Sequence, residues 1–234
     1  MRAIETVQAE IRAQSPFPAE QTEEILRKRF AAVPRRLRFA LARWPLDRLQ
    51  VLDVGCSYGH CLVHFGPGSV GIDNVEEHVE FCRGLGLDAR RVDVDADGGL
   101  ADLPDGAFDV VWVSDILEHL DAPRLLLRRL RPKLKPEGRL ILFVTTLPRN
   151  RLFRRVLRAR GIAPFEAEAH HYQYTLDTVR YLVERAGYVV DEVAVPQLPR
   201  LLGAQAPRLY LAARPDERAE AVARSAEARN KPPS

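Results

Sequence analysis

From Gln50 onward the chain alternates short apolar runs with longer amphipathic stretches. The runs Val51–Val54, Ser69–Ile72, Ala89–Val94, Phe108–Val113, Arg139–Thr145, Val189–Val195 and Leu209–Ala213 are bounded by Gly, Pro and Asp, as buried strands are. Helical spacing of apolar residues falls between them, over 59–65, 75–84, 115–120, 123–134 and 175–186. Strand and helix in repetition predict an α/β fold, a doubly wound and mostly parallel seven-stranded sheet covered on both faces. The last two strands are joined by PQLPRLLGAQAP without a crossover helix, so the last strand is expected to be antiparallel. Ahead of the sheet, 4–14 and 19–43 also have helical spacing, separated by Ser15-Pro16-Phe17-Pro18, and Pro34 is expected to kink or split the second helix. The expected organisation is a helical segment over 1–46, a ligand-binding domain over 47–213, and a tail over 214–234 rich in Ala, Arg and Glu.

Composition narrows the class. At 234 residues with 46% hydrophobic positions, the chain can bury a full core without disulfides or a structural metal. Its three cysteines, Cys56, Cys61 and Cys82, show no metal-ligand spacing, so no metal site is expected and a reducing, cytoplasmic setting is. No apolar run reaches the roughly 18 residues of a membrane-spanning helix. Charge is uneven: residues 47–123 hold 4 basic and 16 acidic side chains, whereas 124–160 hold 13 basic and 1 acidic, which assigns the two stretches different tasks.

The chemistry concentrates where strands end. In LDVGCSYGH, Gly55 lets the backbone turn sharply after the first strand and Gly59 lets the next helix start close to a ligand. Asp73 closes the second strand, where a carboxylate accepts from both hydroxyls of a ribose; together these place a nucleoside across the strand ends. A nicotinamide dinucleotide wants G-x-G-x-x-G for its pyrophosphate, but this loop is G-x-x-x-G and presents Asp53, a carboxylate that would repel pyrophosphate and suit a cationic amino group and sulfonium.

LDVGCSYGH, GIDN, FDVVWVSDILEHL and LKPEGRLILFV, in that order, resemble the class I S-adenosylmethionine-dependent methyltransferases, of the group that includes the ubiquinone-biosynthesis enzymes. The resemblance covers about 50–213 and implies a Rossmann-like methyltransferase fold with S-adenosylmethionine as cofactor. It implies that Asp53, Gly55, Cys56, Ser57, Tyr58 and Gly59 surround the methionine moiety. Asp73 and Asn74 would then hold the ribose, Asp93, Val94 or Asp95 the adenine, and Ser114 and Asp115 would face the cofactor near the reacting methyl. Tyr58 departs from the family's usual small residue and could narrow the pocket or lay its ring near the sulfonium. A shorter likeness, from Asp95 to Asp109, is to the MetW family, which implies the alternative of a non-catalytic partner protein that binds the nucleoside and regulates another enzyme.

An activated sulfonium needs alignment and exclusion of water more than a base. If the acceptor is a hydroxyl, His119, His170 or His171 are the candidate catalytic bases. The acceptor is expected to be a small molecule methylated on O or N, lipid-linked and phosphorylated molecules included. The basic, amphipathic stretch Arg149 to Arg160 lies beside the expected entrance; it suits peripheral contact with an anionic membrane surface or a phosphorylated acceptor. Nucleic acid is not favoured, since no RNA-binding module or aromatic platform accompanies the charge.

Overall fold

The computed structural model describes residues 1–147, 151–160, 170–195 and 208–216, without the side chains of Phe153 and Leu157. Seven strands among the described residues, β1 (Val51–Val54), β2 (Val70–Asp73), β3 (Asp88–Arg91), β4 (Phe108–Ser114), β5 (Leu134–Thr145), β6 (Tyr188–Ala194) and β7 (Arg208–Pro215), form one sheet. Its order is β3-β2-β1-β4-β5-β7-β6. Strands β1 to β5 pair in parallel, while β7 runs antiparallel between β5 and β6. The chain thus reverses direction across β1, so the carboxyl ends of β1, β2 and β4 form the crevice in which open α/β sheets bind ligands.

Helices α1 (Ile4–Gln14), α2 (Ala19–Arg29) and α3 (Arg35–Leu41) precede the sheet, and α4 (Glu76–Gly84), α5 (Pro123–Leu130), α6 (Arg151–Ala159) and α7 (Leu176–Arg185) follow in chain order. The alternation along each strand sorts the core. On one face Leu52, Val111, Leu142 and Leu211 pack with Leu126 and Leu127 of α5 and Val179 and Val183 of α7. On the other, Val51, Trp112, Phe143 and Tyr210 meet Leu37 and Ala40 of α3. The helices α1 and α2 close over Phe81 of α4 through Val7, Ile11, Ile25 and Phe30, so the N-terminal segment is part of the folded body. No helix among the described residues is long and apolar enough to cross a membrane.

As expected, the helical stretch over 19–43 is split into two helices at Pro34, whose ring forbids a continuous hydrogen-bond ladder. Other expectations are corrected. Over 59–65 and 115–120 only 3₁₀ turns form, at Leu62–His64 and Leu117–His119. The first is cut short by the Gly66-Pro67-Gly68 turn into β2. Strand β3 stops at Arg91, because the Asp93 carboxylate accepts the Asp95 amide at 3.0 Å and curls the chain into a turn. Strand β5 begins at Leu134, five residues earlier than the apolar pattern indicates. The joining segment 196–207, residues 148–150 and 161–169 of the expected cover, and the tail beyond 216 lie outside the described residues.

Candidate active site

The turn after β1 is built on backbone that L side chains avoid. Gly55 has φ +72°, and a Cβ there would lie 2.1 Å from the end of the Ile116 side chain. The Gly55 and Cys56 amides both donate to the Ile72 carbonyl, at 2.8 and 3.0 Å, which ties the loop to β2. Ser57, at φ +50°, then turns its amide onto Asp73 Oδ2 at 2.8 Å. Gly59 has a different job from the one its spacing indicates. Its φ is +74°, and a Cβ would meet Cys82 Sγ at 2.9 Å, so it admits α4 rather than opening a helix toward a ligand.

Asp73 is held by three contacts that leave its Oδ2 with capacity to accept. Its Oδ1 accepts from the Val75 amide and lies 3.0 Å from His78 Nδ1, while Oδ2 accepts from Ser57. Burial works to raise its pKa, but the His78 contact and the two amides outweigh it and hold the carboxyl below its usual range. Gly55, Asp73, Asn74, Asp93, Val94 and Asp95 line one cavity of about 240 Å³, which Ile116, His119 and Leu120 close from the β4 side. This brings together six of the residues expected at the cofactor.

Asp53 stands in contrast. It is 2% exposed, with Oδ2 buried and without a hydrogen-bond partner. Burial pushes its pKa up to about 7, the charge of Arg36 working against that and Asp73 with it. Arg36 sits in the first turn of α3, donates to His60 Nε2 at 2.6 Å, and lies 3.9 Å from Asp115. Burial lowers the pKa of His60 to about 3, so this imidazole stays neutral beside the guanidinium. Ser114 ends β4, and its hydroxyl donates to Asp115 at 3.2 Å. Cys56 points away from the crevice into a cluster with Val79, Cys82 and Ala89. Tyr58 is occupied by protein: its hydroxyl donates to Glu77 at 2.7 Å, and its ring packs edge-on to His78 and Phe81.

The three candidate bases separate. His119 and His170 meet edge to face with centroids 4.8 Å apart. Burial first, then the charge of His119, lowers the pKa of His170. His171 is exposed, 3.2 Å from Asp121, and its amide donates to the Glu118 carbonyl at 2.7 Å. Between these lies Glu118, 1% exposed, accepting the Thr145 amide at 3.2 Å with its other oxygen buried and unpartnered. Burial raises its pKa. Glu118, His119 and His170 present ligand atoms within 4.8 Å of one another, a donor set that suits a divalent cation. A second, apolar cavity of about 530 Å³ adjoins this group, with Leu125, Tyr172, Tyr174 and Tyr181 on its walls.

Arg36, Arg208 and Glu118 are functional candidates that the sequence reading missed. None carried a local signal: Arg36 falls inside the helical stretch predicted over 19–43, and only the fold places it in the first turn of α3.

A sheet reversed across β1, a glycine turn at its end and a carboxylate closing β2 define a nucleoside-binding α/β protein. A family model described as "Methyltransferase domain" matches residues 25–193, and the chain belongs to that family as a class I S-adenosylmethionine-dependent methyltransferase, with S-adenosylmethionine as cofactor. The ubiquinone biosynthesis O-methyltransferase of Xanthomonas oryzae pv. oryzae (strain PXO99A) is 36% identical over 123 residues. That match takes in 50% of this chain and 51% of the relative, so the chain spans about half the length of the curated relatives it matches. An S-adenosylmethionine-dependent methyltransferase from Mesorhizobium loti shares the fold with a TM-score of 0.56 and 19% identity, over 77% of this chain and 98% of that one. A putative methyltransferase solved with the Haloferax volcanii Trm112 activator superposes with a TM-score of 0.60 and 16% identity, over 93% and 99%.

Proposed function

We propose that this protein transfers a methyl group from S-adenosylmethionine directly to an oxygen of a small-molecule acceptor, nitrogen being the other atom the chemistry allows. The observation that carries the reading is the pairing of a bonded Asp73 at the nucleoside cavity with a buried Asp53 carboxylate, one oxygen of it unpartnered, one strand away. Asp73 supplies charge-assisted hydrogen bonds to the ribose, and Asp53 supplies an anion for the amino group and sulfonium. The name of the curated relatives favours oxygen as the acceptor atom. His170, whose pKa is lowered by burial, is our candidate base for the acceptor hydroxyl, with His119 orienting it and His171 at the rim. An apolar, lipid-like part of the acceptor suits the tyrosine-walled cavity beside them.

A second reading has its own observation, the buried Glu118, with one oxygen unpartnered, grouped with His119 and His170, their ligand atoms within 4.8 Å of one another. A divalent cation held there would lower the pKa of a bound hydroxyl and replace the base. Turnover that chelator abolishes and Mg²⁺ or Zn²⁺ restores would favour it; chelator-resistant turnover would favour His170 acting alone. The exposed Leu152 and Val156 alternate with Arg151, Arg154, Arg155 and Arg158 on α6, which supports contact with an anionic bilayer. Sedimentation with phosphatidylglycerol but not phosphatidylcholine vesicles checks that contact.

The reading is tested by incubating the protein with methyl-labelled S-adenosylmethionine and a panel of phenolic, isoprenoid-phenolic and amine acceptors. Label in an acceptor supports it. Tight cofactor binding with no transfer to any acceptor, together with copurification of an acyltransferase, would instead favour the non-catalytic partner role. We expect a cytoplasmic site of action.

A further inference from the structure

Asp115, the residue after β4, holds the left-handed conformation at φ +57°, which Asp tolerates at a cost. Two arginines from opposite ends of the chain converge on it. Arg208, the first residue of β7, pairs with Thr145 and reaches past the end of β5 to set Nη2 2.9 Å from Asp115 Oδ1. Arg36 approaches Oδ2 at 3.9 Å. The Nε–H groups of both arginines are buried without an acceptor, and Asp115 Oδ1, although close to Arg208, lacks an aligned donor. Two guanidinium charges thus share one carboxylate through incomplete hydrogen bonds, an arrangement that a better-placed anion would improve.

The positions assign the two cations different partners. Arg36 stands against Asp53 and the β1 loop, at the methionine end of the cofactor crevice. Arg208 lies three strands further along, on β7, away from the β1–β2 crevice and past the methyl-facing end of β4.

We propose that Arg208 is a receptor for an anionic oxygen group, carboxylate or phosphate, carried by the methyl acceptor, with Asp115 as the resident counter-ion that the acceptor displaces. The inference rests on the methyltransferase reading, because it needs a second substrate beside the cofactor. In the ligand-free protein Asp115 occupies Nη2 and leaves Nε open. An incoming carboxylate or phosphate engages Nε and Nη2 together, side-on, in the fork geometry that lysine lacks. Neutral analogues of the acceptor leave the Asp115 ion pair in place and bind weakly.

Calorimetry separates the outcomes. Each variant is first titrated with S-adenosylhomocysteine, which verifies folding and cofactor binding; failure of the wild type at this step counts against the methyltransferase reading, not against the receptor. The loaded proteins are then titrated with benzoate, phenyl phosphate and the neutral isostere benzamide. Wild type is expected to favour at least one anion over benzamide by about tenfold or more, the size of one charge-assisted contact. Arg208→Gln is expected to erase that preference, Arg208→Lys to keep a fraction of it, and Asp115→Asn to raise anion affinity by removing the competitor. Tighter binding of phenyl phosphate than of benzoate identifies a phosphorylated acceptor, and the reverse a carboxylated one. Equal binding of benzamide, a preference that survives in Arg208→Gln, or no saturable anion binding to Asp115→Asn overturns the proposal.

Discussion

The ends of β1 and β2 carry one carboxylate each, and the two are opposites. Asp73 on β2 accepts two backbone amides and contacts His78, and its pKa is held low. Asp53 on β1 is buried with an unpartnered oxygen, and its pKa is pushed up to about 7. A satisfied carboxylate keeps a loop in shape before any ligand arrives; an unsatisfied one stores a cost that only a cationic ligand relieves. The difference points to a preformed ribose end and a methionine end completed by the cofactor.

The largest expected effect breaks the contrast at Asp53. Its raised folded pKa means that the native protein retains a proton the unfolded chain has lost, so this group's contribution is full below pH 3.8 and is lost as pH rises through about 7. Asp53→Asn should flatten that decline in urea unfolding between pH 4 and 8 and gain up to about 4 kcal/mol at the alkaline end, by the conversion of pKa into free energy. The same substitution should weaken S-adenosylmethionine binding, and wild type should release a proton on binding near pH 6.5, read from calorimetry in two buffers. A wild type with no pH slope in this window would show that Asp53 is ionised throughout.

Next in size is Gly55→Val. The left-handed backbone and the clash with Ile116 should cost about 2 to 3 kcal/mol, seen as cofactor affinity reduced roughly 30- to 200-fold in calorimetry. Asp73→Ala follows, weakening S-adenosylmethionine binding by about 1 to 3 kcal/mol through lost charge-assisted hydrogen bonds. Unchanged affinity would remove Asp73 from the site. Smallest is Tyr58→Phe, which deletes one hydroxyl contact with Glu77 and should cost about 1 kcal/mol or less of thermal stability while leaving cofactor affinity within about twofold. A large affinity loss there would show that the Tyr58 hydroxyl, through its contact with Glu77, shapes the cofactor site.

The two halves of the site also differ in how far the chain alone reveals them. The nucleoside half is legible because its residues are contiguous with strand ends: Asp53 lies near the end of one short run, Gly55 follows it and Asp73 closes the next. The parallel order and the antiparallel β7 could be read for the same reason, since short apolar runs and crossover helices alternate locally. The acceptor half that we propose joins Asp115 to Arg208, far apart along the chain, and no local pattern marks a single arginine at the start of a strand. Glu118 was hidden differently: in Leu117-Glu118-His119 it reads as a surface acid, and only the fold buries it against Thr145. Where elements were misjudged, side chains had overridden apolar spacing, as the Asp93 carboxylate does in ending β3.

The central claim is tested most directly by isothermal titration of the protein with S-adenosylmethionine and S-adenosylhomocysteine, with NAD as control. Micromolar binding of the first two and none of NAD is the predicted result. A folded protein that binds neither, or that binds NAD in their place, would contradict the account.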